Sequence, residues 1–429
     1  MKTELPYRFR MPTVHLPDAL VCARRYGGGV SPSVVTILHN RRTVALFAAA
    51  TAVAGAVVTA GALAAPAIAT TSAPASASNS HTLTVRQIAN GAKLHHSFKV
   101  NGTGAKKTES LADPDDITQL GRGIYVTFQN GVGPQGQAST DGNLDSTIVE
   151  FTLSGREVRQ WDLVGKCDGL TADPQAGKVI ATVNEDANSS VYTINGFNGR
   201  VTHYHYNKAL PHKGGTDAIS VYHGLVLISA SAPGTTGGTA PSASFPAVYV
   251  VGFDARTKVA HVSPLFYDEA LAKQANGSAA GKTIHLALTD PDSNTVVPRV
   301  SPRYAGDFVL DSQGDQELIF DRFEGFRQSL TALHLPASVD DTAWVTSRRG
   351  ALYITDATND TLNVVYGSFS VGSAYSSVTP CDSNNAPGTC PGPGFPANYL
   401  GSLNLKTGAL TPVALKGPVL NTEGMIFVP

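Results

Sequence analysis

The sequence contains few of the residues, and none of the short motifs, that identify the common enzyme classes. It has four cysteines, three methionines and two tryptophans in 429 residues. It has no G-x-S-x-G nucleophile turn, no H-E-x-x-H zinc motif and no glycine-rich phosphate or dinucleotide loop. The two tryptophans, Trp161 and Trp344, are not part of a repeated motif. We therefore expect neither a serine hydrolase nor an enzyme that depends on a nucleotide or a quinone.

A run of basic residues is also missing. The chain has 32 Lys and Arg against 33 Asp and Glu, and setting aside the 7 basic and 2 acidic residues of positions 1–69 leaves 25 against 31. A mildly acidic chain without basic clusters does not predict a nucleic-acid partner. We expect a monomer that binds a small molecule or another extracellular ligand.

Only one long apolar run occurs, and it lies near the N-terminus. Arg41 and Arg42 precede residues 43–69, which carry no charge and end in the small-residue site Ala67-Ile68-Ala69. This pattern is typical of a secretory signal peptide, so we expect a secreted protein. The alternative is a retained membrane anchor, because about 27 apolar residues could span a bilayer. The rest of the chain has no second run of this kind, so we expect no membrane span in the mature chain.

The N-terminal pattern also sets the expected domain boundaries. Residues 1–42 are an atypical extension, as a start codon assigned too early would produce, and residues 43–69 are the signal segment. Residues 70–80 are rich in Ser, Ala and Thr and predict a flexible linker. Residues 81–429 remain as the folded domain.

Three cysteines lie beyond the signal segment. Cys381 and Cys390 bracket a loop rich in Pro, Gly and Asn, and export would expose them to an oxidising environment, so we expect a disulfide between them. Cys167 is left over. Lys166 is its one basic neighbour in sequence and no histidine is adjacent, so we do not expect a reactive thiol. We interpret Cys167 as a small residue packed beside a strand.

Short β-rich segments recur along the folded domain. Acidic residues open three successive copies at Asp116, Asp168 and Asp217, spaced by about 50 residues. Each copy contains four segments separated by Gly or polar turns, which is the pattern of a propeller blade. The second copy reads "CDGLTADP", "VIATV", "SVYTI" and "RVTHYHY". A fourth copy reads "NTVVPRV", "GDFVLDS", "QELIFD" and "SLTALHL".

The end of the chain predicts how the ring closes. We expect a fifth copy from "DDTAWVTSRRGALYITDATNDTLNVVYG" into "NYLGSLNLKTGALTPVAL", with the cysteine loop as an insertion. The last residues, "NTEGMIFVP", supply only the opening of another unit, whose outer strands would come from "HTLTVRQIANGAKLHHSF". The prediction is an all-β, six-bladed β-propeller closed by strands from both termini, with five or seven blades as alternatives.

The repeated "YVT", "YIT" and "VIAT" strands after acidic openings resemble secreted bacterial propellers of the SMP-30/gluconolactonase-like and NHL-like class. In gluconolactonase-like propellers a Glu at the start of an inner strand, in an "EGP" setting, joins Asn and Asp residues around a divalent metal. Glu423-Gly424 matches the Glu-Gly pair, and Met425 stands where that setting has Pro. The resemblance thus implies Glu423 as a metal ligand.

Strand direction predicts where acidic residues gather. The loop that enters a blade and the loop between its second and third strands lie on one face, because strand direction alternates. The entering loops carry Asp116, Asp168, Asp217, Asp341 and Glu423; the second set carries Asn130, Asn184, Glu185, Asp186, Asp311, Asp315, Asp356 and Asp360. Such oxygen ligands suit Ca²⁺ or Mg²⁺. The alternative for each residue is that it caps a turn.

From these sets we take Glu423, Asp168, Asp217 and Asn184 as the metal-ligand hypothesis. Asp116, His223 and His285 are the candidates for moving a proton. His203 and His205 share one face of a strand, as a metal pair would, but that strand is expected to be outermost. The loops 130–146 and 229–246 are expected at the rim of the acidic mouth, as a lid or as tolerated insertions.

Two functions remain open from the sequence. The first is a divalent-metal-dependent hydrolase of the lactonase or esterase type, with its site at the acidic mouth. The second is a non-catalytic propeller that recognises a peptide, a glycan or a cell-envelope component on the same face.

Overall fold

The computed structural model describes residues 82–211, 215–233, 245–325, 327–382, 385, 388, 390 and 396–429. The predicted extension, signal segment and linker lie outside these residues. Within them the chain is built from β-strands and 3₁₀ turns, without an α-helix. No helix in this part of the chain has the length and apolar character needed to cross a membrane.

The first half of the domain contains an N-terminal segment and three four-stranded units. The N-terminal strands are β1 (Leu83–Asn90), β2 (His95–Lys99) and β3 (Lys106–Ser110), with a 3₁₀ turn at Gly91–Lys93. Unit 1 has β4 (Pro114–Leu120), β5 (Gly123–Phe128), β6 (Asp145–Thr152) and β7 (Glu157–Val164). Unit 2 has β8 (Cys167–Asp173), β9 (Lys178–Val183), β10 (Ser190–Asn195) and β11 (Val201–Tyr206). Unit 3 has β12 (Ile219–Tyr222), β13 (Leu225–Ser229), β14 (Pro246–Asp254) and β15 (Val259–Tyr267).

The second half contains the remaining strands. A hairpin of β16 (Leu271–Gln274) and β17 (Thr283–His285) precedes unit 4, which has β18 (Pro291–Val296), β19 (Phe308–Ser312), β20 (Glu317–Glu324) and β21 (Arg327–His334). The strands after unit 4 are β22 (Val339–Trp344), β23 (Ala351–Asp356), β24 (Thr361–Tyr366), β25 (Ala374–Val378), β26 (Tyr399–Leu403), β27 (Leu410–Pro412), β28 (Leu415–Lys416) and β29 (Met425–Val428). Two more 3₁₀ turns are Gln313–Asp315 and Ala357–Asn359.

The sheets pack face to face, so the second and third strands of each unit are apolar on both faces. Residues Val179, Ile180 and Ala181 of β9 are all buried, although alternate side chains point to opposite sides. Val179 and Ala181 pack with Tyr125 and Ile148 of unit 1. Burial of this apolar surface between neighbouring sheets provides the main stabilisation of the ring.

The first strands of the units contact one another in a closed order. β4 contacts β8, β8 contacts β12, β12 contacts β18, β18 contacts β22, β22 contacts β29, and β29 contacts β4. Each of these six strands is the last strand at one end of its sheet. The protein is a β-propeller, as predicted, and these six first strands follow one another in a closed order.

The predicted fifth copy is wrong in one respect. Its first strand, β22, pairs with β25, and β26 and β27 complete that sheet, which we call unit 5. The intervening hairpin β23–β24 belongs to the closing sheet, unit 6, in the order β28-β1-β24-β23-β29. Leu352, Ile354 and Val365 of the hairpin pack there with Val85 and Met425. The pairing partner of a hairpin is a tertiary property, and its apolar pattern is the same in either sheet.

Ring closure is confirmed with a correction. Strand β1 from the N-terminal side and strand β29 from the C-terminal end both enter unit 6, as expected. The two strands between them come from residues 351–366, and the segment after β1 forms a separate hairpin, β2–β3. His96 in that hairpin contacts Asp162 of β7, so the hairpin lies against the outer edge of unit 1.

Candidate functional site

An acidic residue stands at the same position in all six units. In units 1, 2, 4 and 5, two residues near the start of the first strand lie in a break in its pairing with the second strand. In units 3 and 6, the two corresponding residues come directly before the first paired residue of the first strand. The first of the two is acidic every time. We call these residues the acid ring: Asp115, Asp168, Asp217, Asp292, Asp340 and Glu423.

The predicted entering set contains two residues that are not in the acid ring and lacks three that are. Asp168, Asp217 and Glu423 are ring residues, as the sequence analysis expected. Asp116 and Asp341 lie one position further along their strands, where the other units have Gly169, Ala218, Ser293 and Gly424. Asp115, Asp292 and Asp340 were missed, although the doublets "DD" at 115–116 and 340–341 were a visible signal.

The strand opposite each ring residue carries a small hydroxyl residue in five units. These buried residues are Thr127, Thr182, Ser229, Ser377 and Thr355. Thr182 Oγ1 donates to the Asp217 carbonyl at 2.6 Å, and Thr355 Oγ1 donates to the Asp115 carbonyl at 2.6 Å. Ser229 Oγ donates to the Asp292 carbonyl at 2.9 Å. These hydroxyls therefore join the ring backbone of one unit to the next.

Unit 4 departs from this pattern, because Asp311 occupies the hydroxyl position. Asp311 is 2% exposed, and neither of its carboxylate oxygens has a hydrogen-bond partner among the described residues. Burial and the charges of Asp340 and Asp341 raise its pKa well above the usual range. Residue 311 was in the predicted second loop set, but the structure places it on a strand beneath the ring.

One ammonium group stands among the ring carboxylates. Lys166 Nζ contacts Asp168 Oδ1 at 2.8 Å and also pairs with Glu185. Gln129 Nε2 donates to Asp115 Oδ2 at 2.8 Å and to Asp168 Oδ1 at 2.9 Å. Asp168 Oδ2 has no partner in the described structure. Sequence reasoning did not single out Lys166 or Gln129, because nothing in their local pattern shows that they reach the axis.

Burial and the crowding of carboxylates raise the pKa values of the ring residues. Burial raises the pKa of Asp168 to about 7, although the Lys166 ammonium opposes the shift. Burial, together with the charges of Asp115 and Asp356, raises the pKa of Glu423 to about 8. For Asp217, burial followed by the charge of Asp168 raises the pKa well above the usual range. Several ring members therefore hold protons near neutral pH when no other cation is present.

Asp116 and Asp341 join neighbouring first strands. Asp116 Oδ2 accepts a hydrogen bond from the Leu170 backbone N–H at 2.7 Å, and Asp341 Oδ2 accepts one from the Met425 N–H at 2.7 Å. Burial raises the pKa of Asp341 to about 6 despite these bonds. Asp116 also has a pKa well above the usual range, first from burial and then from the charge of Asp115.

The predicted ligand Asn184 caps a turn. Its Oδ1 accepts the Lys166 N–H at 3.0 Å, its Nδ2 donates to the Asn188 carbonyl, and its backbone has a φ of 68°. Asn130 has the same role in unit 1, where its Oδ1 accepts the Ala112 N–H at 3.1 Å. Asp356 likewise accepts the Asn421 N–H at 3.1 Å. These side chains hold the entering segment of each unit, which is the turn-capping alternative.

The four histidines that the sequence analysis considered do not join the acid ring. His203 lies in the outermost strand of unit 2, as expected, with Nε2 2.8 Å from Ser190 Oγ, and burial lowers its pKa to about 4. His205 follows on the same strand and is exposed. His285, a candidate for moving a proton, is exposed on β17 at the outer end of its sheet and contacts the Glu269 carbonyl, so the structure does not place it at the acid ring. His223 lines the channel, but in the first hairpin turn of unit 3, at the end opposite the acid ring.

The long loop of unit 1, residues 130–146, is the first of the two loops that were predicted to lie at the rim of the acidic mouth. The Asp186 N–H, in the corresponding loop of unit 2, donates to the Pro134 carbonyl at 3.0 Å. At its other end the loop contacts the β2–β3 hairpin, where the Asn101 N–H donates to the Gly142 carbonyl at 2.8 Å. Residues 234–244 of the second predicted rim loop lie outside the described residues.

The cysteine predictions can also be placed. Cys381 and Cys390 form a disulfide, as expected. Cys167 is fully buried as a free thiol, and burial, followed by the charge of Asp168, raises its pKa well above the usual range. The thiol is thus kept protonated, in agreement with the packing interpretation.

A preformed metal cage is not seen. In the parts of the chain that the structure describes, no group of three or more His, Cys, Asp or Glu side chains is arranged to hold a metal ion. The acid ring has the donor chemistry of a hard cation, and its side chains would have to turn toward a common point to bind one.

Comparisons with known proteins find no family and only remote structural likeness. No family model matches the sequence, and no curated protein matches it. Similar solved structures include a protein of unknown function from Bacteroides caccae, with 10% identity, a TM-score of 0.41 and coverage of 81% of this chain and 99% of that one. A proposed 6-phosphogluconolactonase from Bacteroides fragilis has 13% identity, a TM-score of 0.39 and coverage of 83% and 100%. A proposed gluconolactonase has 9% identity, a TM-score of 0.38 and coverage of 79% and 85%. At these values the likeness carries no argument about activity.

Proposed function

We propose that the acid ring binds a divalent cation, Ca²⁺ or Mg²⁺, and that the protein is a metal-dependent hydrolase of lactones or related esters. The proposal places the reaction at the mouth of the channel that the acid ring surrounds. It also includes export by the N-terminal signal segment, which the Cys381–Cys390 disulfide supports because such bonds persist in oxidising compartments.

The observation that carries the proposal is a buried excess of negative charge. The acid ring has six carboxylates, and among the described residues the ammonium group that reaches it is that of Lys166, which pairs with Asp168 and Glu185. Asp168 is 5% exposed and yet leaves Oδ2 without a partner. A buried, unpaired carboxylate costs several kcal/mol, so the ring must either take up protons or bind a cation. A divalent cation would compete with the protons and lower the pKa of each ligand.

The residues suited to hold the cation are Asp168, Asp217 and Glu423, with further oxygens from the rest of the acid ring. Asn184 does not fit, because its amide oxygen already accepts the Lys166 backbone N–H. A bound divalent ion would polarise a carbonyl and lower the pKa of a bound water. Asn398 Nδ2 donates to Glu423 Oε1 at 2.9 Å and would orient Glu423 as a ligand. A nearby carboxylate that does not bind the cation would hold or move the proton.

A second candidate is a non-catalytic recognition propeller that binds its ligand at the same face. It is favoured by the lack of a preformed metal group in the described residues. In this case the acid ring would bind a cationic group of a peptide or an envelope component, and no hydrolysis would follow.

Calorimetric titration with Ca²⁺ and Mg²⁺ tests the proposal. We expect saturable binding that is lost in Asp217→Asn and Glu423→Gln and kept in Asp141→Asn, whose carboxylate is 64% exposed and pairs with Lys107. A panel of lactones and esters should then show hydrolysis that EDTA abolishes and the bound cation restores. Binding without hydrolysis of the panel would leave the recognition propeller, and no binding of either ion would refute the metal hypothesis.

A further inference from the structure

The channel contains a second chemical environment beyond the acid ring. A cavity of about 710 Å³ runs along the axis and is lined by the first strands of all six units. None of the six ring carboxylates is among its described lining residues. The exposed turn residues Gln175, Gly224 and Thr346 line it, and they lie between first and second strands, on the face opposite the acid ring. The cavity is therefore approached from the other mouth.

Two carboxylates lie at the inner end of this cavity. Asp116 and Asp341 line it at the level just below the acid ring. Asp116 accepts one described hydrogen bond, from the Leu170 backbone N–H, and Asp341 accepts the Thr342 and Met425 N–H groups. A carboxylate has about four acceptor positions. Both side chains are thus held in place by backbone donors and still have acceptor capacity.

The remaining wall contains both polar and apolar residues, and a third carboxylate, Asp173, lies near its open end. Thr118, Ser220, Asn294 and Thr342 line its middle, and the described lining contains neither Lys nor Arg. Each of the six first strands is the end strand of its sheet, so the backbone edge that it turns to the axis pairs with no further strand. Some N–H groups on these edges, such as those of Leu170 and Met425, bond to side chains of the neighbouring first strand. The wall can therefore make hydrogen bonds to hydroxyl or amine groups and has no Lys or Arg to neutralise an anion. The histidine in the described lining, His223, lies in a turn at the open end, away from Asp116 and Asp341.

We propose that this cavity binds a small organic cation, a primary amine with further polar groups, whose ammonium lies between Asp116 and Asp341. The volume lies within the range of about 300–1,000 Å³ that small-molecule sites occupy. Both acids lie beside the same short segment of unit 6: a Cβ on Gly424 would be 3.1 Å from Asp116 Cα, and the adjacent Met425 N–H donates to Asp341 Oδ2 at 2.7 Å, so one ligand can contact both. An ammonium group would satisfy both carboxylates with charge-assisted hydrogen bonds. This site does not depend on the proposed metal chemistry, because its residues and its mouth are different.

Titration calorimetry with a matched pair of ligands tests the charge requirement. Galactosamine and spermidine are the cationic probes, and N-acetylgalactosamine is the neutral partner of the first. We expect saturable binding of at least one amine and at least about tenfold weaker binding of the neutral sugar, as the loss of a charge-assisted hydrogen bond implies. Equal binding of the charged and neutral sugars, or binding of no amine, would overturn the proposal.

Site variants locate the ligand. Asp116→Asn and Asp341→Asn keep an oxygen to accept the Leu170 and Met425 N–H groups, so the fold should be preserved. Each should weaken amine binding by about tenfold or more, whereas Asp217→Asn in the acid ring should leave it within about threefold. If only the Asp217 variant weakens binding, the amine binds the acid ring and the proposal is wrong.

The entrance can be tested separately with two matched substitutions. Thr346→Phe adds bulk at the open end of the cavity, and Asp186→Phe adds the same side chain at the exposed rim of the acidic mouth. Trp344 lines the cavity, so its fluorescence can follow association in stopped flow. We expect the first variant to slow association and the second to leave it unchanged. The opposite result would place entry at the acidic mouth and contradict the proposed site.

Discussion

Replacement of Asp311 by Thr should stabilise the protein. The change restores the hydroxyl that the equivalent position carries in the other five units, where Thr182, for example, donates to the carbonyl of the next ring residue. It also removes a carboxylate that is 2% exposed and has no described hydrogen-bond partner. An unsatisfied buried group costs about 1–3 kcal/mol, and more when it is charged. We expect a gain of about 2–3 kcal/mol at pH 8 in the absence of divalent ions.

The pH dependence of this gain distinguishes charge from packing. The pKa of Asp311 is raised in the folded state, so the folded protein binds this proton more tightly than the unfolded chain. The penalty of the wild-type carboxylate is absent below about pH 4, where both states are protonated. It grows as pH rises from there to the folded pKa and is complete above it. The gain in the free energy of unfolding from Asp311→Thr should therefore be largest near pH 8 and should shrink as the pH falls toward 4.

Thermal and urea unfolding at several pH values, with EDTA present, measure the effect. Unfolding entropy is about 2.1 cal/mol/K per residue, so over roughly 350 residues 2–3 kcal/mol corresponds to a rise in Tm of about 3–4 °C. The reciprocal control is Thr182→Asp, which places a carboxylate at the buried equivalent position in unit 2 and should destabilise most at high pH. A gain that is absent at pH 8, or that is constant with pH, would refute the reasoning.

Two further predictions concern the close approach of first strands and the N-terminal hairpin. A Cβ on Gly424 would lie 2.5 Å from the Asp115 carbonyl oxygen, so Gly424→Ala should lower the free energy of unfolding by about 1–3 kcal/mol in urea titration. Gly252 has open space around it, so Gly252→Ala should change the free energy of unfolding by less than about 0.5 kcal/mol. Equal effects of the two substitutions would contradict the crowding argument. His96 is buried, which opposes protonation, but its contacts to Asp162 at 3.2 Å and Glu109 at 3.0 Å raise its pKa above 6.5. The stabilisation by protonated His96 should be complete below pH 6.5 and be lost as the pH rises through the folded-state pKa. The free energy of unfolding of His96→Gln should therefore differ most from that of the wild type at low pH. A difference that grows with pH would contradict the predicted direction.

The sequence by itself determined the class of fold. Short strands such as "VIATV" between Gly and polar turns, repeated about every 50 residues, allow little but a propeller, because each four-stranded unit can bury its two faces only against its neighbours. The same repeat predicted that acidic residues at Asp168, Asp217 and Glu423 would share one mouth. The disulfide and the buried state of Cys167 also followed from local composition.

Only the tertiary structure decided which strands pair over long distances and which side chains meet at the axis. The hairpin 351–366 has the same apolar alternation whether it completes unit 5 or unit 6, so its sheet is set by the packing of Leu352 and Ile354 against Met425. The two-residue shift at the start of each first strand moved the ring position from Asp116 and Asp341 to Asp115 and Asp340. Such a shift depends on the register with the second strand. Lys166 and Asp311 acquire their roles in the same way, because burial and nearby charge come from residues distant in the chain and are set when the units close into a ring.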